Sequence, residues 1–418
     1  MSRGTAIAPS TSDLAASVRR NTRLLTGAQV ALWVAVGAGA AFGPITTFEL
    51  TGRRSAAAAF FAIYSLAQAA GARAGGAVMD RKGRRPGLLI GYLVLAIGGG
   101  VASTGAASGS VLWLDVGAAL IGAGAGAALL GRGAVADMYP PERRGRAVGL
   151  LLVAGTIGAV GGAPLAGAVH AWADGTGGVE PLAVPWLLLP VAAAVSFSLV
   201  LALRPDPRDL AVGGGPTAEA ARPLRGVLVL RPALAAIVTI GIVQAVMVTF
   251  MAVIPVVLHS HDAGEVTVSA VVGLHLGGMF ALSPLVGLVL DRRGRRTGLL
   301  LGITITALGV ALSLIQVEVL GDASGLFLVG VGWSAAYLGT TATLSDVTRP
   351  SERGRVLGTA DLVASLSAAA GVLAGGFLFE ATGYEALAAA AFVALLAPLA
   401  VVLVLRETAP GRWAPAEG

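Results

Sequence analysis

The sequence predicts an all-α polytopic membrane protein whose twelve transmembrane helices form two pseudo-symmetric six-helix bundles. Three observations carry that prediction. The 418 residues are 56% hydrophobic and 12% charged, about half the ~25% charged content of an ordinary soluble domain. Apolar stretches of the ~20 residues needed to cross ~30 Å of hydrocarbon recur along the chain in two sets of six. Two sequence patterns each occur twice, at nearly one offset. This composition excludes a soluble enzyme, a nucleic-acid-binding domain and a disordered chain. With no cysteine, there is also no disulfide framework and no thiolate metal site.

Taken in order, the predicted spans are 24–45, 56–78, 87–107, 111–135, 147–171 and 182–203. After a polar stretch they resume at 231–258, 267–290, 297–317, 323–345, 355–379 and 385–405; these are spans 1 to 12. They are too long and too uniformly apolar for soluble core helices, and their many Gly and Ala suit close packing in lipid. A transmembrane β-barrel would show ~10-residue alternating strands instead. The domain organisation follows: an arm at 1–23, a first bundle at 24–203, a linker at 204–230, a second bundle at 231–405 and a tail at 406–418. The linker is marked by Pro205, Pro207, Gly213, Gly214, Gly215 and Pro216.

Orientation follows from the basic residues. All but Arg53, Arg54, Arg73 and Arg132 fall in the arm, in the loops after spans 2, 4, 6, 8 and 10, or in the tail. By the positive-inside rule, both termini and those loops are expected in the cytoplasm, with the protein in the cell (inner) membrane. The asymmetry also accounts for the pI near 10.4 without DNA or RNA as a partner. Trp113, Trp172 and Trp186 fall near the outer ends of spans 4, 5 and 6, where interfacial tryptophans are expected.

Residues 76–85 read Gly76-Ala-Val-Met-Asp80-Arg81-Lys82-Gly83-Arg84-Arg85, and residues 287–296 read Gly287-Leu-Val-Leu-Asp291-Arg292-Arg293-Gly294-Arg295-Arg296. A second pair runs from Asp137 to Arg146 and from Asp346 to Arg355. The offsets are 211 and 209 residues, and each pair ends corresponding spans of the two halves. A duplicated six-span unit is implied. The Gly-x-x-x-Asp-Arg-x-Gly-Arg-Arg pattern between spans 2 and 3, repeated between spans 8 and 9, resembles motif A of the major facilitator superfamily. The resemblance covers residues 20–406. It implies two bundles rocking around a midplane site, and solute transport by alternating access. It also implies an ion pair from a loop arginine to the acid ending span 4: Arg84 with Asp137 and, by symmetry, Arg295 with Asp346. Gly76 and Gly287 are expected to allow close helix approach, and Gly83 and Gly294 a tight turn. Asp80 and Asp291 can pair with nearby arginines or face a helix N-terminus in the other half. The plainer alternative is that these arginines set topology and bind lipid phosphates. Span 5 contains Gly158-Ala-Val-Gly-Gly162-Ala-Pro164-Leu-Ala-Gly167, similar to antiporter motif C. Ala163 and Ala168 replace two of the motif's glycines. The segment would let span 5 bend and pack against span 8, or is ordinary small-residue packing. The arginine expected early in span 4 of a drug–proton antiporter is absent, with Ala118 near its place.

Ionisable groups within hydrocarbon are functional candidates by default. Asp361 lies ~9 Å and Arg73 ~10 Å from the inner edge at 1.5 Å per residue. The resemblance places spans 2 and 11 face to face, so the two are expected to form a cytoplasmic gate pair, closed outward-facing and broken inward-facing. Arg132 on span 4 is the rival partner; alternatively Asp361 caps local structure and both arginines snorkel. His275, ~24 Å from that edge, either titrates with substrate or proton or is a neutral hydrogen-bonded helix residue. Gln29, Trp33, Gln244, Trp333 and Tyr337 lie in spans 1, 7 and 10, which line the central cavity in this family. They would suit an amphipathic or apolar solute, or they pack against lipid and neighbouring helices.

The expected function is secondary transport, as proton-coupled efflux of small apolar or amphipathic compounds by a monomer in the lipid bilayer. Protons are the expected coupling ion, and neither cofactor nor metal is expected. Uptake of a metabolite such as a sugar or organic acid is the first alternative, and a transport-dead membrane sensor the second. No catalytic constellation is visible, so an enzyme is not expected.

Overall fold

A computed structural model of the protein describes residues 11–177, 180–211, 223–314, 318–409 and 412–413. Among the described residues, twelve helices are long and apolar enough to cross a membrane. Spans 1 to 6 run Leu14–Thr51, Arg54–Lys82, Arg84–Ser108, Val111–Asp137, Ala147–Thr176 and Val184–Leu201; spans 7 to 12 run Arg231–Ser260, Glu265–Arg293, Arg295–Leu312, Val319–Val347, Arg355–Thr382 and Tyr384–Leu403. Every expected span is present. The described part of the arm is not a separate segment, because the helix of span 1 begins at Thr11. In the linker, Pro207–Leu210 forms a 3-10 turn and Leu224–Leu228 a short helix. Gly213 to Pro216 lie outside the described residues. Glu407–Ala409 pairs antiparallel with Arg412–Trp413 in the tail.

Helix packing repeats between the halves. Span 1 packs on spans 5 and 6, and span 7 on spans 11 and 12; span 4 lies against spans 2 and 3, and span 10 against spans 8 and 9. The halves meet where span 2 packs on span 11 and span 5 on span 8. Pro44 in span 1 and Pro255 in span 7, 211 residues apart, each interrupt the helix ladder at matching positions.

Small residues set the closest approaches, as lipid packing favours. A Cβ on Gly126 would lie 2.0 Å from the Gln68 carbonyl oxygen, and one on Gly71 2.0 Å from that of Ala123, so spans 2 and 4 touch backbone to backbone. Gly76 and Gly287 do not make the close approach expected of them. A Cβ on Gly76 would have ordinary contact with Leu130 at 3.8 Å, and Gly287 faces open space. Gly71 and Gly75 occupy the face turned to span 4, and Gly76 is rotated off it by one residue. Gly83 and Gly294 do take the left-handed conformation, φ +102° and +92°, that a side chain rarely adopts. Trp113 and Trp172 are exposed, but Trp186 is fully buried. It packs on Phe60 and donates its indole N–H to Thr46 Oγ1 at 3.3 Å, so it is a core residue and not an interfacial one.

Candidate functional site

The repeated loops are held from both sides. Arg84 donates through Nε to Asp137 Oδ2 at 2.8 Å, and Arg295 through Nε to Asp346 Oδ2 at 2.8 Å; both expected pairs form. Asp80 lies 3.6 Å from Arg84 and Asp291 4.0 Å from Arg295, and both acids are 77% exposed. Neither is covered by a helix of the other half. Arg81, Lys82, Arg292 and Arg293 are exposed. Sequence reasoning missed the acids that cap spans 3 and 9. Asp206 accepts the backbone N–H groups of Arg84 and Arg85 at 3.0 and 2.9 Å, and Glu407 those of Arg295 and Arg296 at 2.9 and 2.7 Å. A carboxylate at a helix N-terminus satisfies orphan donors and complements the helix dipole. The available signal was an acid shortly after the last span of each half.

Between the halves lies a continuous run of aromatic and charged side chains. Trp33 of span 1 meets Phe280 of span 8 edge to face, centroids 4.6 Å apart. Phe280 contacts Trp333 of span 10 at 6.1 Å, and Trp333 stacks on Tyr337 at 5.1 Å with planes 16° apart. Trp333 donates its indole N–H to the Gln244 side-chain oxygen of span 7. Tyr337 accepts from Arg132 Nη1 at 2.7 Å, and Arg132 Nη2 donates to Asp361 Oδ2 at 3.0 Å. Ser365 bonds back to the Asp361 carbonyl one turn along. Local breaks position two of these groups. Span 4 is interrupted between Ala128 and Gly131, just before Arg132. Span 8 is interrupted between Phe280 and Ser283, just after Phe280. Phe280 was not singled out from sequence, because one Phe in an apolar span carries no periodic signal.

The structure pairs Asp361 with Arg132, the rival partner, and not with Arg73. Arg73 is exposed. Depth along a helix fixes one coordinate only; rotation about its axis turns Arg73 away while the break in span 4 brings Arg132 across. Gln29 is buried at 3% exposure and packs with Trp33 against Gly155 of span 5, so it backs the aromatic run and does not line open space. His275 is fully buried and its Nδ1 donates to the Leu326 carbonyl at 2.7 Å. It ties span 8 to span 10 away from the aromatic run. In span 5, Gly158 and Gly162 pack on Val30 and Val34 of span 1, whereas Gly273 and Ser269 of span 8 meet Pro164 and Gly167. Val160, in the first half of the segment, also lies against Gly273 and Gly277 of span 8, so the expected packing on span 8 runs through both halves of it.

A small apolar cavity of about 30 Å³ is lined among others by Ala35, Val36, Phe60, Tyr64, Ile121 and Met251. Val36 is one turn from Trp33 along span 1. On the arginine-poor face the halves are tied together. Glu380 of span 11 accepts the Ser55 N–H at 2.8 Å and lies 3.5 Å from Arg53; Arg54 sits over the Phe379 ring at 4.8 Å. His259 reaches Glu49 at 2.5 Å, and His170 lies 3.8 Å from Glu265. A Cβ on Gly376 of span 11 would lie 2.3 Å from that of Ala58 of span 2, so the two helices are in close contact there. The arginine-poor face is closed.

The Major Facilitator Superfamily model matches residues 24–261 and 242–418. An uncharacterized MFS-type transporter of Bacillus subtilis, YddS, is 30% identical over 401 residues, spanning 92% of this chain and 90% of that protein. The riboflavin transporter RfnT of Brucella anthropi is 26% identical over 415 residues, spanning 96% and 99% of the two chains. Among solved structures, the human organic anion transporter MFSD10 (TETRAN) superposes with a TM-score of 0.64 at 16% identity, covering 92% of this chain and 99% of that one. The xylose transporter XylE of E. coli gives 0.63 at 16% identity, covering 91% and 97%. The chain belongs to the major facilitator superfamily: it is a membrane transporter, not an enzyme.

Proposed function

We propose that this transporter exports small, flat, amphipathic compounds in exchange for protons, by alternating access. The observation that carries the reading is the run Trp33, Phe280, Trp333, Tyr337, Arg132 and Asp361, built from both halves. Aromatic faces offer stacking worth ~0.5–1.5 kcal/mol each, Gln244 offers an amide, and the ion pair offers a charged edge. Solute sits against the aromatic faces, with its polar edge toward Gln244 and the ion pair. Protonation of Asp361 cancels its charge and frees Arg132, which loosens the tie between spans 4 and 11; deprotonation restores it. The arginine-rich face is cytoplasmic, so the closed arginine-poor face is the outer one and the conformation is shut to the outside.

The relative named for riboflavin, a planar heteroaromatic, favours the same solute shape; uptake is the second reading. The test uses proteoliposomes with an imposed pH gradient and a panel of hydrophobic cations and planar heteroaromatics. The expected result is gradient collapse by a few compounds, abolished in Asp361→Asn. Collapse that survives the substitution removes Asp361 as the coupling group. Accumulation of a compound on the side that receives the protons, moving with them, reverses the direction and establishes uptake. Binding without flux makes the protein a sensor.

A further inference from the structure

The closed arginine-poor face holds four titratable groups in contact, two from each half. Glu49 ends span 1 and His170 lies near the end of span 5; His259 ends span 7 and Glu265 begins span 8. His259 Nε2 is 2.5 Å from Glu49 Oε1 and its Nδ1 is 3.7 Å from Glu265 Oε1. His170 Nε2 is 3.8 Å from Glu265 Oε2, and its Nδ1 is 3.0 Å from the Pro181 carbonyl oxygen.

Hydrogen-bond chemistry fixes where the protons sit. A carbonyl oxygen only accepts, so Nδ1 of His170 carries the proton of the neutral ring. Its Nε2 then turns a lone pair toward the Glu265 carboxylate. The same holds for His259. Nε2 donates to the Glu49 carboxylate, so Nδ1 of a neutral ring faces Glu265 without a hydrogen, and that nitrogen is buried with no hydrogen-bond partner. Glu265 therefore lies between two ring nitrogens that repel it when the rings are neutral and attract it when both are imidazolium. Both contacts join the halves: His170 to Glu265 links span 5 to span 8, and Glu49 to His259 links span 1 to span 7.

We propose that Glu49, His170, His259 and Glu265 form a proton-binding latch on the arginine-poor face, which closes that face when its histidines are charged. Histidine changes charge between pH 5 and 8. The closed face therefore binds more protons than the open one, so acid favours closure and rising pH releases it. Neighbouring charges leave this assignment standing. Arg53 and Glu380 pair with each other, and Arg54 covers Phe379. Asp174 lies one turn beyond His170 on span 5, and Glu180 precedes Pro181 in the following loop. His261 and Asp262 lie in the turn after span 7, where His261 interacts with Asp322 of span 10. The inference rests on alternating access alone, and neither on the direction of transport nor on Asp361.

The chain has no cysteine, so a pair of introduced ones is unique. Ser108→Cys and Thr382→Cys put spin labels on exposed positions of the two halves at this face. Distances between them would be measured in nanodiscs from pH 5.5 to 8.0. The expected result is a several-fold rise in the ratio of open to closed molecules as the pH is raised. Glu265→Gln should flatten the rise to under about twofold, and Glu265→Asp should retain part of it. The rise should persist in Asp361→Asn. A ratio that does not change with pH in the labelled, otherwise unaltered chain overturns the latch. So does a rise that Glu265→Gln leaves intact, or one that disappears in Asp361→Asn, which would assign the titration to the central pair.

Discussion

Removing Asp361 from Arg132 is the most direct test of the central site. The two side chains are 39% and 47% exposed, with Nη2 3.0 Å from Oδ2. A buried charge-assisted hydrogen bond contributes ~1.5–3 kcal/mol, and an exposed ion pair ~0.2–1 kcal/mol. Screening at nearly half exposure brings this pair to about 1 kcal/mol, or about fivefold in an equilibrium between arrangements that keep and break it. The perturbation is a double-mutant cycle of Arg132→Gln and Asp361→Asn. The readout is the open-to-closed ratio at the arginine-rich face, from spin labels at Lys82→Cys and Arg293→Cys. Either single change should raise the ratio about fivefold, and the double change should add little, giving a coupling near 1 kcal/mol. A parallel cycle of Arg73→Gln with Asp361→Asn should be additive, since Arg73 does not reach Asp361. Additivity in the Arg132 cycle, or coupling in the Arg73 cycle, would refute the pairing seen between spans 4 and 11.

Three further outcomes follow from the packing. Gly126→Val should lower thermal stability by at least ~1–3 kcal/mol, because a Cβ there meets the Gln68 backbone at 2.0 Å. Gly133→Ala, which faces open space, should shift it by under about 0.5 kcal/mol; the fluorescence-monitored melting of each variant reads both. Phe280→Ala and Trp333→Ala should each weaken binding of a planar aromatic solute about three- to tenfold in a direct titration. Trp113→Phe, exposed on span 4, should leave affinity unchanged. Asp206→Asn and Glu407→Gln should each cost ~1 kcal/mol in the same melts, since each removes the charge that caps a helix N-terminus.

Apolar length and arginine asymmetry made the spans legible, because crossing hydrocarbon imposes a length on every segment whatever it packs against. The duplicated loops disclosed the symmetry, and with it the pairs Arg84 with Asp137 and Arg295 with Asp346. Each joins residues 53 or 51 positions apart within one half, at ends that the motif already brings together. The choice of Arg132 over Arg73 was not legible. Sequence gives depth along a helix, but the partner depends on rotation about the axis and on the break before Gly131. The aromatic run escaped for the same reason at Phe280, whose place follows from the interruption of span 8. The cluster of Glu49, His170, His259 and Glu265 looks, residue by residue, like ordinary polar ends of spans. It becomes one site only when two rigid bundles close on each other and bring Glu49 against His259, 210 positions along the chain. Local chemistry and the demands of lipid therefore determined the helices and their order. The contacts between bundles, where an alternating-access protein works, were decided by the tertiary arrangement alone.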